Sequence, residues 1–313
     1  MSDSKPITRV AIVGTGVIGA SWAAFFLAKG LEVTATDIAP DAESKLRRFV
    51  DDAWPALKAL GLAKGASQSK LKFSSSLVAA VKDADLVQEN GPERLELKKA
   101  LYGQLDQLLP PDVIIASSSS GLTMSEIQTG CPSHPERCVI GHPFNPPHLI
   151  PLVEIVGGQK TSEETIRRVT EFYVALGKRA IRLHKEMPGH VANRLQAALS
   201  REVYYLVGEG VVSVADVDAA VCWGPGLRWG IIGQVLTNHL GGGEGGIEHF
   251  LEQFTGPLTA WWKSLGSPEL TPELQRKLID GVREEVGSQS IGALVAERDE
   301  ILLGLLRLRA KQK

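Results

Sequence analysis

From residue 9 to residue 185, short β-branched runs alternate with stretches whose apolar positions recur at helical spacing. Residues 9–13 and 31–36 read as strands, joined by a helix over residues 17–29 that stops at Gly30. Residues 41–60 are helical, with a bend where Pro55 follows Trp54. Residues 85–88, 113–116, 138–142, 149–156 and 179–185 are further apolar strands. Helices are expected over residues 93–109, near Ser125 with a serine cap, and over residues 161–177 from the capping box Thr161-Ser162-Glu163-Glu164. Residues 64–72, with Lys64, Lys70 and Lys72, read either as a solvated charged face or as a phosphate site for a large substrate. Strands and helices in this alternation specify an α/β fold, a Rossmann-type doubly wound sheet.

Past Met187-Pro188-Gly189 no strand pattern remains. Residues 191–208, a segment capped by Ser213, residues 247–265, a segment opened by Thr271-Pro272-Glu273, and residues 290–309 all carry helical periodicity. The chain therefore divides into residues 1–187, a sheet domain, and residues 188–313, an all-α domain. Trp223, Trp229, Trp261 and Trp262 lie in the second domain, either as core or as an aromatic box suited to a quaternary ammonium group. So small a helical layer seldom buries every apolar face alone, which points to a homodimer.

Composition narrows the class. The chain is 43% hydrophobic and 22% charged, with a net charge of −2 and both signs mixed, so no basic surface for nucleic acid or an anionic membrane is indicated. Residues 1–9 hold no apolar leader, and no window approaches a membrane-spanning length of about 18 apolar residues. Cys131, Cys138 and Cys222 are odd in number and fit no metal spacing, as expected of reduced thiols in a cytoplasmic protein.

The chemistry begins at Gly14-Thr15-Gly16-Val17-Ile18-Gly19, which follows a strand and opens a helix, with Asp37 18 residues beyond Gly19. In that context the glycines shape a tight turn, admit a pyrophosphate and allow close helix–strand packing, while Asp37 accepts from the adenine ribose. No Arg follows Asp37 to neutralise a 2′-phosphate, so NAD is favoured over NADP. Four serines, Ser117 to Ser120, sit at the end of a buried strand, where open α/β sheets bind ligands. His142 ends the next apolar run, and Glu154 is a lone carboxylate among Leu152, Val153, Ile155 and Val156. A buried carboxylate demands a partner, and the chain folding back offers His142, which makes a base with an orienting acid. On pattern alone Glu93 suits a first helical turn and Lys98 an exposed helical face.

With these residues in view, the chain resembles the L-3-hydroxyacyl-CoA dehydrogenase superfamily over nearly its whole length. The likeness is carried by A-S-S-S-S-G-L, H-P-F-N-P-P, P-L-V-E-I-V and P-G-H-V-A-N-R-L. It implies that Ser120 bonds the substrate oxygen, His142 is the general base, Glu154 orients it, and Asn193 reaches the substrate from the helical domain as that domain closes about Gly189. It also implies that Glu93, Lys98 and Asn145 bind the cofactor. Within the superfamily, W-G-P-G-L-R-W-G is closer to the lambda-crystallin branch, which acts as L-gulonate 3-dehydrogenase. G-G-G-E-G-G with His249-Phe250 and Gln253-Phe254 is similar to L-carnitine dehydrogenase. Two departures stand out: His190 replaces the usual aromatic after the hinge glycine, and Ser118 stands where acyl-CoA enzymes usually carry Asn, which weakens an acyl-CoA reading. The expected reaction is NAD-dependent oxidation of a small L-3-hydroxy acid, first L-gulonate, alternatively L-carnitine or an acyl-CoA, with Arg228 as candidate for the substrate carboxylate. A non-catalytic, crystallin-like NAD-binding protein is the reading from another class.

Overall fold

The structure is a computed structural model and describes residues 5–311; residues 1–4, part of the stretch 1–9 read above for an apolar leader, and residues 312–313 lie outside the described residues. Contacts divide the chain into a unit ending at Asn193 and a unit beginning at Arg194.

The first unit is built on one eight-stranded sheet in the order β3-β2-β1-β4-β5-β6-β7-β8. Its strands are β1 (Arg9–Val13), β2 (Glu32–Thr36), β3 (Leu71–Phe73), β4 (Leu86–Glu89), β5 (Ile114–Ser117), β6 (Cys138–Pro143), β7 (Leu152–Gly157) and β8 (Arg179–Leu183). β1 to β6 run parallel, whereas β7 is antiparallel to β6 and carries β8 parallel to itself. The helices are α1 (Val17–Ala28), α2 (Ala42–Leu60), α3 (Leu77–Val81), α4 (Leu95–Leu108), α5 (Met124–Ile127) and α6 (Glu163–Ala175).

Period-two alternation splits the strand residues between two apolar layers. Val10, Ile12, Val33, Ala35, Val139 and Ile155 face Trp22, Phe26, Leu46 and Tyr173 on one side. Ala11, Val13, Val87, Ile115 and Ile140 face Val81, Tyr102, Leu105 and Met124 on the other. Covered on both faces, the strands read as continuous apolar runs. The sheet order turns about β1 and β4, which opens a crevice at the carboxyl ends of those strands.

Several local expectations are corrected. The lysine-rich stretch conceals β3, and Lys70 turns inward to donate to Gly30 O at 2.8 Å. β3 is three residues long, too short to show alternation, and α3 after it went unread for the same reason. Ser162 does cap α6, but its partner is the Thr165 amide and hydroxyl rather than a reciprocal glutamate. The reciprocal capping box lies at Thr123 and Glu126 before α5, not at a serine. Pro55 sits within a continuous α2.

α7 (Ala192–Gly208) starts in the first unit and runs into the second. The second unit contains α8 (Val214–Trp223), α9 (Pro225–Trp229), α10 (Gln234–Gly241), α11 (Gly246–Ser264), α12 (Pro272–Val286) and α13 (Ile291–Ala310), and no strand among the described residues. Its own core is small: Val207, Val214 and Val217, backed by Val203, Val212 and Leu278. The tryptophans are not core, since Trp223 is 81% exposed, Trp261 59% and Trp262 66%. No helix among the described residues is long and apolar enough to cross a membrane.

Candidate active site

Every strand end that matters here opens on the same edge of the sheet. β1 delivers the glycine turn, β4 ends in Glu89, β5 ends in Ser117, and β6 carries His142 one residue from its end. The antiparallel return of β7 sets His142 directly opposite Glu154 in the ladder, so both side chains leave the same face. The loop that fixes this register is pinned. Ser21 Oγ meets both the His148 amide, at 2.9 Å, and its Nδ1, at 2.8 Å, while the buried Lys178 Nζ donates to Pro147 O and to Ile150 O.

His142 Nδ1 lies 2.8 Å from Glu154 Oε2, with the carboxylate side chain fully buried. The other oxygen, Oε1, accepts from the amides of Val191 at 2.8 Å and Ala192 at 3.0 Å. Burial alone would raise the Glu154 carboxyl; the hydrogen bonds from His142, Ala192 and Val191 outweigh it and hold its pKa below the usual value. Glu154 is thus an anion that only accepts, which puts the proton of a neutral His142 on Nδ1 and leaves a lone pair on Nε2. Nε2 has no partner among the described residues.

The serine run resolves into separate duties. Ser117 Oγ donates to Glu89 Oε2 at 2.6 Å. Ser118 Oγ donates to Asn90 Oδ1 and receives Gln88 Nε2 and the Trp22 indole. Ser119 Oγ donates to Glu93 Oε1 at 2.6 Å. Ser120 alone of the four has a hydroxyl without a partner among the described residues. Its amide, and those of Gly121 and Leu122, all point at Glu93 Oε1. Burial would raise the Glu93 carboxyl, but Ser119, these amides and Lys98 together keep it low, so it stays an anion that clamps the loop.

Lys98 is not on an exposed face. Its side chain is 2% exposed and its ammonium donates to Glu89 Oε1 at 2.7 Å and Gly91 O at 3.2 Å, with Glu93 Oε2 at 3.9 Å. α4 begins at Leu95, which leaves Glu93 outside the helix and free to turn toward the serine loop. Glu89 was missed in the sequence. Its signal was the one that singled out Glu154: a lone carboxylate closing an apolar strand, here Leu86-Val87-Gln88-Glu89.

The residues of the glycine turn fit a dinucleotide. A Cβ on Gly16 would meet nothing within 4 Å, which leaves an open cradle at the start of α1, where no side chain caps the helix. Gly14 adopts φ +86°, and a Cβ on Gly19 would run into Gly14 O, so the turn and the close helix approach both exclude side chains. Val17 and Ile18 give the first amides of α1. Asp37 Oδ2 accepts from the Thr15 amide at 2.6 Å and hydroxyl at 3.0 Å, and Oδ1 from the Ala39 amide. Burial works against the Asp37 charge, but these bonds outweigh it and lower its pKa, which preserves an acceptor for ribose hydroxyls and repels a 2′-phosphate.

The remaining candidates are more scattered. Asn145 is exposed in the loop after β6. Asn193 is half-buried in the first turn of α7, directly after the two amides that hold Glu154, and groups with the first unit. Arg228 is exposed on α9 in the second unit.

The chain matches the 3-hydroxyacyl-CoA dehydrogenase NAD-binding domain over residues 9–187 and the C-terminal domain of the same family over residues 189–283. It belongs to the 3-hydroxyacyl-CoA dehydrogenase family. It is 49% identical over 307 residues to an L-carnitine dehydrogenase of Streptomyces coelicolor, covering 98% of this chain and 96% of the relative. It is 48% identical over 300 residues to an L-carnitine dehydrogenase of Pseudomonas putida, covering 96% and 93%. Among solved structures, 5-formyl-3-hydroxy-2-methylpyridine 4-carboxylic acid 5-dehydrogenase, an NAD+-dependent dismutase, superposes with a TM-score of 0.84 at 31% identity over 97% of this chain and 98% of that one. The protein is therefore an NAD-dependent 3-hydroxy acid dehydrogenase with an NAD-binding α/β domain and a helical C-terminal domain.

Proposed function

We propose that this dehydrogenase oxidises the 3-hydroxyl of L-carnitine to the 3-oxo acid. The observation that carries the choice of substrate is the identity of nearly half the residues, over almost the full chain, to L-carnitine dehydrogenases. This favours L-carnitine over L-gulonate, the substrate that W-G-P-G-L-R-W-G put first. An acyl-CoA substrate has little support: Lys70 of the basic stretch is turned to Gly30 O, and Ser118 is absorbed by Trp22, Gln88 and Asn90.

In this reading the substrate hydroxyl lies between Ser120 Oγ and His142 Nε2, neither of which has a partner among the described residues. Ser120 donates to the substrate oxygen. His142 Nε2 takes the hydroxyl proton, and Nδ1–H of the resulting imidazolium forms a charge-assisted bond to Glu154. When bound, NAD supplies the acceptor for the hydride that leaves the carbinol carbon. Glu93 keeps the serine loop in register through four donors, and Lys98 holds Glu89 and Gly91 beneath the cofactor crevice. Asn193 and Asn145 complete the set as contacts to substrate and cofactor. Taken by itself, the second unit exposes Arg228 and several indoles, groups suited to a carboxylate and to a trimethylammonium.

NAD reduction measured with L-carnitine, L-gulonate, L-3-hydroxybutyrate and 3-hydroxybutyryl-CoA tests the assignment. L-Carnitine is expected to show the highest kcat/KM, by about tenfold or more, the margin that a few lost contacts produce. Faster turnover of L-gulonate or of the acyl-CoA would overturn it. The apolar exposure of the helical unit, including Leu240, Trp262 and Ile301, supports a homodimer. A single monomeric species in sedimentation equilibrium would remove that part of the proposal.

A further inference from the structure

His190 carries two local costs. It is the one non-glycine residue at positive φ among the described residues, at +50°, a region that disfavours side chains with a Cβ. It is also 3% exposed, with a buried Nδ1 that has no hydrogen-bond partner. A buried polar atom left unpaired costs about 1–3 kcal/mol. A phenylalanine of the same shape would avoid the second cost, and an asparagine or glycine the first. Packing alone therefore does not explain a histidine here.

Its contacts supply the reason. Nε2 lies 3.0 Å from Ser119 O, and a carbonyl can only accept, so Nε2 carries the proton and Nδ1 is the bare nitrogen. The ring lies beside His142, with centroids 5.0 Å apart and planes at 50°. The left-handed turn at His190, closed by its amide on Met187 O, sends the next two amides onto Glu154. One short segment thus touches three parts of the site: the serine loop, the imidazole and the carboxylate.

We propose that His190 is a positioning residue of the reaction: its Nε2–H fixes the serine loop at Ser119 while its ring backs His142, so that the Ser120 hydroxyl and His142 Nε2 are held at one spacing suited to a secondary alcohol. The inference rests on the roles given above to Ser120 and His142, not on which 3-hydroxy acid is the substrate. The ring must be neutral when His142 becomes a cation, since two positive imidazoles at this separation repel. Burial is the largest influence on His190 and His142 adds to it, lowering its pKa against the Ser119 bond, Glu154 and Glu93, which act the other way.

Two variants separate positioning from bulk. His190→Phe keeps the ring and loses the donor; His190→Gln keeps a donor at nearly the reach of Nε2 and tolerates the backbone no better than histidine. Each is assayed with NAD and whichever 3-hydroxy acid the parent turns over fastest, so a wrong substrate assignment does not mimic failure here. His190→Phe is expected to lower kcat about 10- to 100-fold, the scale of a small misplacement of reacting groups, with the NAD dissociation constant within twofold of the parent. His190→Gln is expected to recover most of that loss. A kcat for His190→Phe within twofold of the parent would overturn the proposal. So would a parallel loss of NAD affinity and kcat in both variants, which marks a merely structural role. If His190→Phe does not fold, His190→Gln decides alone: near-parental kcat with intact NAD binding supports the donor role, and a loss as large as 100-fold refutes it.

Discussion

Replacing His142 with alanine is expected to lower kcat by about 10²- to 10⁴-fold, the range that a positioned general base supplies. NAD binding is expected to remain close to that of the parent protein. The separation of the two effects follows from where the parts sit. The dinucleotide turn grows from β1 and Asp37 from the end of β2, whereas His142 lies on β6, three strands from β1 in the order β1-β4-β5-β6. The imidazole bonds Glu154 through Nδ1, and in the proposed reaction it meets the substrate through Nε2. Its removal leaves Glu154 Oε2 without its partner while Oε1 still accepts two backbone amides, so the cost falls at this end of the sheet and not on the dinucleotide turn. Steady-state turnover with L-carnitine, set against NAD titration by fluorescence quenching, reads both quantities. Turnover within tenfold of the parent at neutral pH would show that another group takes the proton.

Much of the architecture was legible because each cue was local. β1, the glycine turn and α1 form one continuous run, and the acid at Asp37 follows at the right distance. The antiparallel step between β6 and β7 could be read as well: proline-rich turn chemistry, a short return and one carboxylate among apolar neighbours gave His142 its partner. The pairing was visible from the cost of leaving Glu154 unpaired, a penalty that depends on burial and not on details of packing.

Where the reading stopped, distance in sequence was the cause. Nothing in the helical pattern of residues 93–109 shows that Lys98 turns inward, because its partners Glu89 and Gly91 belong to the preceding strand end. Four adjacent serines look alike until Glu89, Asn90 and Glu93 claim three of their hydroxyls and leave Ser120. β3 is too short to alternate. The tryptophans could not be placed by composition, since their exposure depends on how little core the second unit has. His190 was noticeable as an unusual residue after a glycine, but its reach to Ser119 spans 71 positions and no periodicity encodes it.

Glu154→Gln offers the sharpest test of the acid–base geometry, because the two replaced oxygens face different partners. Oε1 accepts from the Val191 and Ala192 amides, and Oε2 faces His142 Nδ1. A glutamine amide placed here has one acceptor and one donor end. Turning its NH2 toward Val191 and Ala192 would set donors against two donors and leave both amides unpaired, at about 1–3 kcal/mol each. The carbonyl must therefore take the Oε1 position, and the NH2 must face Nδ1. Nδ1 can then only accept, which moves the proton of the neutral ring to Nε2 and removes the lone pair that the proposed reaction needs for the substrate proton. The variant also loses the anion that stabilises the imidazolium. Glu154→Gln is thus expected to lower kcat by about 10²- to 10⁴-fold, much as His142→Ala does, although one side chain is nearly isosteric and the other truncated. Stability should respond in the opposite way: glutamine keeps both backbone amides bonded and leaves Tm near the parent value, whereas Glu154→Ala strands them and lowers it. Glu154→Asp, which keeps the charge and the tautomer but shortens the reach, should fall between the parent and Glu154→Gln in kcat. A Glu154→Gln protein with near-parental kcat would mean that Nε2 is not the atom that takes the proton.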